Sequence, residues 1–338
     1  MRKSRLKAPP HHPIAYYHCV SRVVDRQFVL GPEEKEEFVR LMRLYEEFCE
    51  VRVITHCVMS NHFHVLVEVP QRPAQMPDDT QLLAKLNRLY SPEAFAQVRW
   101  QLENLRRLGA HAEAEALRES FFARMWDVSF FMKGLKQRFS GWHNRRQGRK
   151  GTLWEERFKS VLVESGQALV TMATYIDLNP VRAGLVQDPK EYRWCGYAAA
   201  AAGKRRARSG LRTAMATWAH GGIGEAAGME KYRELLFGAG EQKKEGSNGQ
   251  RVKRGISRER VEEVLAKKGK LTRWEMLRCR VRYFCDGAVL GSKEFVNGIF
   301  THERHRFGPK RKTGARPMRH VEADGLTTLR DLRIKPLG

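Results

Sequence analysis

The fold of this chain is decided by the stretch Met59-Ser60-Asn61-His62-Phe63-His64-Val65-Leu66-Val67-Glu68. A short polar turn is followed by apolar and β-branched residues, which predicts a β-strand. Because alternate residues of a strand share a face, His62 and His64 point to one side of the sheet and Phe63 points to the other. Two imidazoles in this arrangement can bind one divalent metal ion, whereas a histidine pair on its own is more often a half-exposed surface pair.

A second stretch favours the metal interpretation of the histidine pair. It reads Ala173-Thr174-Tyr175-Ile176-Asp177-Leu178-Asn179-Pro180-Val181-Arg182-Ala183-Gly184. Tyr175 and Asn179 are four residues apart in a predicted helix, so they share one face of it. The helix should end near Asn179, because Pro180 disfavours helical geometry in the residue before it. We therefore predict that Tyr175 is a nucleophile and that Asn179 is a third metal ligand beside His62 and His64.

Four sequence motifs, in their order and at their separations, resemble one protein family. They are Tyr17-His18-Cys19-Val20-Ser21-Arg22, Val58-Met59-Ser60-Asn61-His62-Phe63-His64-Val65-Leu66-Val67, Gly151-Thr152-Leu153-Trp154-Glu155-Glu156-Arg157-Phe158-Lys159 and Tyr175-Ile176-Asp177-Leu178-Asn179-Pro180-Val181-Arg182-Ala183-Gly184. Over residues 16–197 the chain resembles the REP-associated tyrosine transposases, which lie within the HUH single-tyrosine transposase superfamily. The resemblance implies a ferredoxin-like fold and a metal-dependent transposase or endonuclease activity on single-stranded hairpins of palindromic repeat DNA.

The composition of the chain indicates a nucleic-acid partner. Its 338 residues include 62 Lys and Arg against 38 Asp and Glu, a net charge of +24. An excess this large favours a polyanion over a merely soluble basic protein. No stretch is long and apolar enough to cross a membrane, the basic N-terminus lacks the apolar run of a signal peptide, and the scattered cysteines indicate a reducing compartment. With the resemblance, these features predict a bacterial cytoplasmic protein that acts at the nucleoid.

The predicted elements of the core follow the order β-α-β-β-α-β-α. The first six form the split β-α-β arrangement of ferredoxin-like domains, so the predicted class is α+β with an antiparallel sheet. In that arrangement the first and third strands are central. The histidine pair should therefore lie in mid-sheet, and the last helix should place Tyr175 over it.

Three further segments are predicted outside this core. Within a transposase domain of residues 12–197, a helical insertion is expected at about residues 80–127. Residues 198–255 are interpreted as a basic and glycine-rich linker region. Residues 256–338 are interpreted as a helical, basic C-terminal module, with helices over 257–268, 272–284 and 291–305. This module is either a helix-turn-helix or a helical bundle that only packs on the core.

The resemblance also implies the chemistry of the site. Tyr175 attacks a backbone phosphorus, a 3′-hydroxyl leaves, and a 5′-phosphotyrosine intermediate keeps the bond energy for rejoining. A metal ion held by His62, His64 and Asn179 would polarise the phosphate oxygen, although related transposases often carry Gln at the position of Asn179. Mg²⁺ is expected as the working ion, with Mn²⁺ able to replace it, and no nucleotide cofactor is expected.

The candidate DNA contacts are basic residues close to the third motif: Arg145, Arg146, Arg149, Lys150 and Arg157. Each of them is, by default, also a solvated surface charge. Two other functions stay open from the residues alone. One is a non-catalytic nucleic-acid-binding protein on a ferredoxin-like sheet, and the other is a metal nuclease in which water attacks in place of Tyr175. The choice between monomer and homodimer is open as well.

Overall fold

The computed structural model describes residues 5–219, 224–237 and 273–332. Within these residues the strands are β1 (Ile14–Arg22), β2 (Arg52–Val58), β3 (His62–Pro70), β4 (Lys159–Val163), β5 (Val289–Gly291), β6 (Arg316–Pro317) and β7 (Thr327–Thr328). The helices are α1 (Pro32–Phe48), α2 (Asp79–Leu89), α3 (Pro92–Arg107), α4 (His111–Phe122), α5 (Val128–Arg146), α6 (Gln167–Asp177), α7 (Asn179–Arg182), α8 (Gly196–Ala201), α9 (Arg205–Trp218), α10 (Glu225–Phe237), α11 (Arg273–Arg278), α12 (Tyr283–Asp286) and α13 (Lys293–His302). None of the helices in these ranges is long and apolar enough to span a membrane.

The strand order confirms the predicted α+β class. The sheet runs β2-β3-β1-β4-β5-β7-β6, and its first four strands have the order of a ferredoxin-like domain. β1 and β3 are the two central strands of these four, as predicted. β1 pairs antiparallel with β4, with His18 opposite Val161. Seven successive residues of β3 are buried, which fits a strand that is covered on both faces.

The C-terminal part of the chain extends this sheet. β5 pairs parallel with β4, and β7 pairs antiparallel with both β5 and β6. These strands of two or three residues have too few positions for a periodic pattern, so the sequence predicts only helices here. The helix predicted over 272–284 is found as two pieces, α11 and α12, and the helix predicted over 257–268 lies outside the described residues.

The chain forms two compact units. The first holds Met1–Gly31, Val53–Glu68 and Trp154–Gly338, and the second holds Pro32–Arg52 and Val69–Leu153. In the second unit, helices α2 to α4 lie in the range of about residues 80–127 where the sequence predicts a helical insertion. In the first unit, helices α9 and α10 lie in the region interpreted as a linker, and they form because their apolar side chains are buried in the core of that unit. The predicted domain boundaries at residues 197 and 255 stay a prediction.

Helix α6 is almost completely buried, and a carboxyl group lies at its end. All of its residues from Ala168 to Asp177 are buried. Asp177 accepts hydrogen bonds from the Thr55 hydroxyl (2.7 Å), the Tyr232 hydroxyl (2.6 Å) and the Tyr197 backbone N–H (3.2 Å). Burial nevertheless raises the pKa of Asp177 to about 7, while the three donors act in the opposite direction.

Asp177 should therefore make the stability of the protein depend on pH. Because its pKa is higher in the folded than in the unfolded chain, its full contribution is present below about pH 4 and is lost as the pH rises through about 7. One unit of pKa corresponds to about 1.4 kcal/mol, so we expect the free energy of unfolding to fall by on the order of 4 kcal/mol over this range. Urea denaturation of the wild type and of Asp177→Asn at a series of pH values measures the effect. If the free energy of unfolding changed with pH in the same way for both proteins, the prediction would be wrong.

Candidate active site at the histidine pair

Strand β3 presents the two histidines on one face of the sheet. The ring centroids of His62 and His64 are 5.1 Å apart. Phe63 points to the opposite face, where its ring meets the edge of Trp154 at 5.3 Å. His64 is buried, whereas His62 at the start of the strand is only partly covered. The alternation predicted from the sequence is therefore present in the structure, and His62 is the more exposed of the two histidines.

A chain of hydrogen bonds fixes which nitrogen of His64 carries its proton. His18 of β1 lies beside His64, with its Nε2 2.9 Å from His64 Nδ1 and its Nδ1 2.7 Å from the Phe284 carbonyl oxygen. A carbonyl oxygen only accepts, so His18 Nδ1 donates to it and the Nε2 of a neutral His18 accepts. His64 Nδ1 therefore donates to His18, and the lone pair of His64 Nε2 is left for a ligand.

A separate contact fixes His62 in the same tautomer. The Asn61 amide nitrogen donates to the Arg26 carbonyl oxygen at 3.0 Å, which turns the Asn61 Oδ1 towards His62. That oxygen lies 2.7 Å from His62 Nδ1, which must donate to it. The lone pair of His62 Nε2 is thus also left unprotonated. Histidines that bind a metal usually have their other ring nitrogen held in this way.

The electrostatics of the site keep the imidazoles neutral. Burial lowers the pKa of His62 to about 3 and the pKa of His18 to about 4, and it lowers the pKa of His64 well below the ordinary value. Positive charge on Arg182 acts in the same direction on all three rings. Neutral imidazoles are the form that a metal ion requires.

Tyr175 lies beside the pair, where the sequence predicts it. Its ring on helix α6 meets that of His64 edge-on, at 6.4 Å between centroids, and is 2% exposed. Two further neighbours come from the C-terminal segment: Phe284, whose ring centroid is 4.8 Å from that of Tyr175, and Cys285, whose sulfur is 3.9 Å from the hydroxyl. Burial raises the pKa of Tyr175 far above its ordinary value, with the nearby Cys285 as the next cause.

Arg182 is a site residue that the sequence analysis missed. Its guanidinium carbon lies 4.0 Å from the centroid of the Tyr175 ring, and its Nη1 donates to the Leu277 carbonyl oxygen at 2.9 Å. Its Nη2 is buried and finds no hydrogen-bond partner within the described residues. A buried donor of this kind is suited to an anionic oxygen beside the tyrosine hydroxyl. The only sequence signal was that Arg182 stands in the motif that carries Tyr175.

Asn179 is one turn beyond Tyr175 and begins α7, so helix α6 ends before Pro180 as expected. Its amide nitrogen donates to the Ile176 carbonyl oxygen at 2.9 Å. The described part of the chain shows no hydrogen bond between Asn179 and His62 or His64, and its Oδ1 is the atom left for a ligand. Its role as a third metal ligand stays a prediction.

The donor set at the pair suits a divalent ion that has few protein ligands. No cluster of three or more His, Cys, Asp or Glu side chains within the described ranges is arranged to hold a metal. Two imidazole Nε2 lone pairs are nevertheless presented together, and each ring is oriented through its Nδ1. The Nε2 of His18 accepts the hydrogen bond from His64, so His18 orients the pair and does not add a metal ligand. The remaining positions would be filled by an amide oxygen, water or substrate phosphate.

The candidate DNA contacts are divided between the two units. Arg157 belongs to the first unit and is exposed, while Arg145 and Lys150 belong to the second and are exposed as well. Arg146 forms an ion pair with Glu33 and lies 4.0 Å from Glu34, and Arg149 is half-buried. The side chains that keep their charge most available are therefore those of Arg145 and Lys150.

Comparison with known proteins bears on the first part of the chain. Residues 13–80, which hold β1 and the histidine pair, match the family model described as "Transposase IS200 like". No curated protein matches the chain. A solved structure of a REP-associated tyrosine transposase bound to a REP hairpin is 13% identical, covers 60% of this chain and 84% of its own, and gives a TM-score of 0.37. The resemblance to a transposase family is confirmed by the family model.

Proposed function

We propose that this chain, whose residues 13–80 match the family model of IS200-like transposases, cleaves and rejoins single-stranded DNA with Tyr175 as the nucleophile. The observation that carries the proposal is the meeting of three groups. The Tyr175 ring lies against His64. The Arg182 guanidinium is stacked on the same ring, and its Nη2 has no hydrogen-bond partner within the described residues. A nucleophile and an anion-binding donor from one stretch of the sequence thus meet a pair of proposed metal ligands from another.

In the proposed reaction the Tyr175 hydroxyl oxygen bonds to a backbone phosphorus and the bond from phosphorus to the 3′ oxygen breaks. The phenol proton is balanced by the proton that the leaving 3′ oxygen gains, so one phosphodiester is exchanged for another. Attack by a 3′-hydroxyl on the phosphotyrosine reverses the step and restores the DNA strand. No nucleotide cofactor is needed, because the bond energy is conserved.

The residues around Tyr175 position and protect the reacting groups. Arg182 would donate to a phosphate oxygen through its Nη2, which would offset the negative charge of the transition state. The Nε2 atoms of His62 and His64, with the Asn179 amide oxygen, would hold Mg²⁺ or Mn²⁺, which supplies Lewis-acid polarisation of the phosphate when bound. Phe284 and Cys285 cover the tyrosine ring. Exclusion of water from the phosphotyrosine linkage favours rejoining over hydrolysis.

The proposed substrate is single-stranded or hairpin DNA, because a single nucleophilic tyrosine acts on one strand. The net charge of +24 supports a polyanionic partner. Arg145, Lys150 and Arg157 are the proposed backbone contacts, together with Arg149. Arg146 would have to exchange Glu33 for a phosphate, so its contribution should be the smallest of the five.

The test is incubation of the protein with a panel of labelled hairpin and single-stranded oligonucleotides in the presence of Mg²⁺, followed by a denaturing gel. We expect a protein–DNA species that survives denaturation, depends on the divalent ion and disappears on protease digestion. Cleaved strands with free 5′-phosphate ends and no such species would indicate a hydrolytic nuclease. Binding that EDTA leaves unchanged, without any cleavage, would indicate a non-catalytic DNA-binding protein.

A further inference from the structure

One cavity of the helical second unit combines aromatic walls with positive charge. It has a volume of about 220 Å³ and lies between residues of α1, the end of α2 and α5. Its aromatic side chains include Tyr45, Tyr90 and Phe130, and its cations are Arg124, Lys133 and Arg138. No Asp or Glu is found among the described residues that line it. We call it the aromatic–basic pocket; all of its residues are separate from the histidine site.

A glycine in the middle of α5 shapes one wall of the aromatic–basic pocket. A Cβ atom at Gly134 would lie 2.2 Å from Cε1 of Tyr45, so only glycine lets this ring rest against the helix backbone. Glycine inside a helix costs about 0.5–1 kcal/mol relative to alanine. Its presence is explained by the close approach of Tyr45. The hydroxyl of the same Tyr45 is hydrogen-bonded by Arg138, which also donates to the Leu89 carbonyl oxygen.

Arg124 is fixed in the wall of the aromatic–basic pocket, and one of its N–H donors is not used by the described residues. Its Nη2 donates to the Tyr90 hydroxyl at 2.6 Å, and its guanidinium carbon lies 4.9 Å from the centroid of the Phe48 ring. Its Nε is buried and has no hydrogen-bond partner in the described part of the chain. An unpartnered buried donor is costly unless a ligand satisfies it. The pocket therefore contains a fixed cation with unused hydrogen-bonding capacity.

The rim of the pocket is formed by one face of α5. Phe130 is 40% exposed, although large apolar side chains are usually buried. Lys133 and Gln137 follow it at three and seven residues, so all three lie along the same side of the helix. Lys133 is exposed and has no ion-pair partner among the described residues. An exposed ring beside a free ammonium group is an arrangement suited to a base and its phosphate.

We propose that the aromatic–basic pocket binds one unstacked nucleotide of single-stranded DNA, with the base among Tyr45, Tyr90 and Phe130 and the phosphate near Lys133. The proposal rests on the DNA substrate of the proposed function. The charge of the pocket is complementary to a phosphate, and its rings offer flat surfaces to any base. Its volume of about 220 Å³ is below the roughly 300–1,000 Å³ of pockets for drug-sized ligands, so it fits the base and leaves the sugar and phosphate outside the cavity, near Lys133. The pocket would hold a strand outside the cleavage site.

The test measures binding of a fluorescent single-stranded oligonucleotide to the full chain in EDTA, so that cleavage does not interfere. Stacking of a base on an aromatic side chain corresponds to about a tenfold change in affinity, so we expect Phe130→Ala to weaken binding by about tenfold. Lys133→Ala should also reduce the dependence of log K on log salt by about 0.7, as expected for one lost phosphate contact to a single strand. Phe130→Ala should leave that slope unchanged.

Matched controls come from α3 of the same unit. Trp100 is 66% exposed and Arg99 is exposed, and neither lines the pocket. Trp100→Ala and Arg99→Ala should each leave the affinity within about twofold of the wild type. Photocrosslinking with a strand that carries 5-iododeoxyuridine should label peptides that contain Tyr45, Tyr90 or Phe130. Wild-type affinity in the Phe130→Ala and Lys133→Ala variants, or crosslinks confined to other residues, would overturn the proposal.

The experiments distinguish an error in the pocket assignment from an error in the proposed reaction. If the wild type forms the covalent DNA adduct while both pocket variants bind normally, only the pocket assignment is wrong. If the pocket variants lose affinity but no adduct is formed by the wild type, the nucleotide site stands and the tyrosine chemistry is wrong.

Discussion

Tyr175→Phe should abolish the covalent protein–DNA species while the protein stays folded. Phenylalanine keeps the ring contacts with His64, Phe284 and Arg182, and it removes only a hydroxyl whose hydrogen-bond partner is the Cys285 sulfur at 3.9 Å. The loss of so weak a bond should change the free energy of unfolding by less than about 1 kcal/mol. No adduct can form without the attacking oxygen. A denaturing gel with labelled hairpin DNA and a thermal melt of the same samples measure both effects.

Tyr192→Phe is the matched control for this prediction. Tyr192 is also buried, but its hydroxyl donates to the Val58 carbonyl oxygen at 2.8 Å. Loss of this bond should destabilise the protein by about 1 kcal/mol and leave adduct formation intact. The two variants should therefore show opposite patterns. An adduct that persists in Tyr175→Phe would refute the assignment of the nucleophile.

His64→Ala should lower the rate of metal-dependent cleavage by about a thousandfold or more. The variant removes a proposed metal ligand, whose ring is oriented by the hydrogen bond between its Nδ1 and His18. Lewis-acid stabilisation of a phosphoryl transition state amounts to several kcal/mol, and 1.36 kcal/mol corresponds to a factor of ten in rate. Titration calorimetry with Mn²⁺ should show the accompanying loss of metal affinity without any DNA present.

His18 offers a graded control for the same site. His18→Ala leaves both proposed ligands in place but removes the partner of His64 Nδ1, and loss of such a supporting contact typically costs 10–100-fold in metal affinity. His11→Ala, at an exposed histidine, should have no effect on either measurement. Equal Mn²⁺ affinity of the wild type and His64→Ala would show that the pair does not bind the ion.

The sequence predicted the framework of the site because its signals are local. Alternation in β3 placed His62 and His64 on one face, and the four-residue spacing placed Tyr175 near the end of a helix that stops before Pro180. The position of β1 and β3 in mid-sheet followed from the element order. These features depend on residues close together in the chain, where periodicity and turn chemistry are informative.

The parts that the sequence did not predict depend on distant residues or on the backbone. The acceptor for His18 is the carbonyl oxygen of Phe284, 266 residues away, and a carbonyl group has no sequence signature. The stacking of Arg182 on Tyr175 and the ion pair of Arg146 with Glu33 likewise depend on tertiary packing. From residue type alone, Arg146 and Lys150 are equal candidates for a DNA contact, although Arg146 already forms an ion pair with Glu33.

The short strands β5 to β7 also affect which edges of the sheet are open to strand addition. An open four-stranded sheet ends in two rows of unpaired backbone groups, which are templates for strand addition and amyloid-like growth. Here β5 occupies the free side of β4, and an isolated bridge between Cys57 and Cys195 covers part of β2. Among the residues that the structure describes, the sheet ends at β6, which has two residues, one of them Pro317. Because proline has no backbone N–H, this edge of the sheet is poorly suited to pairing with a strand from another molecule.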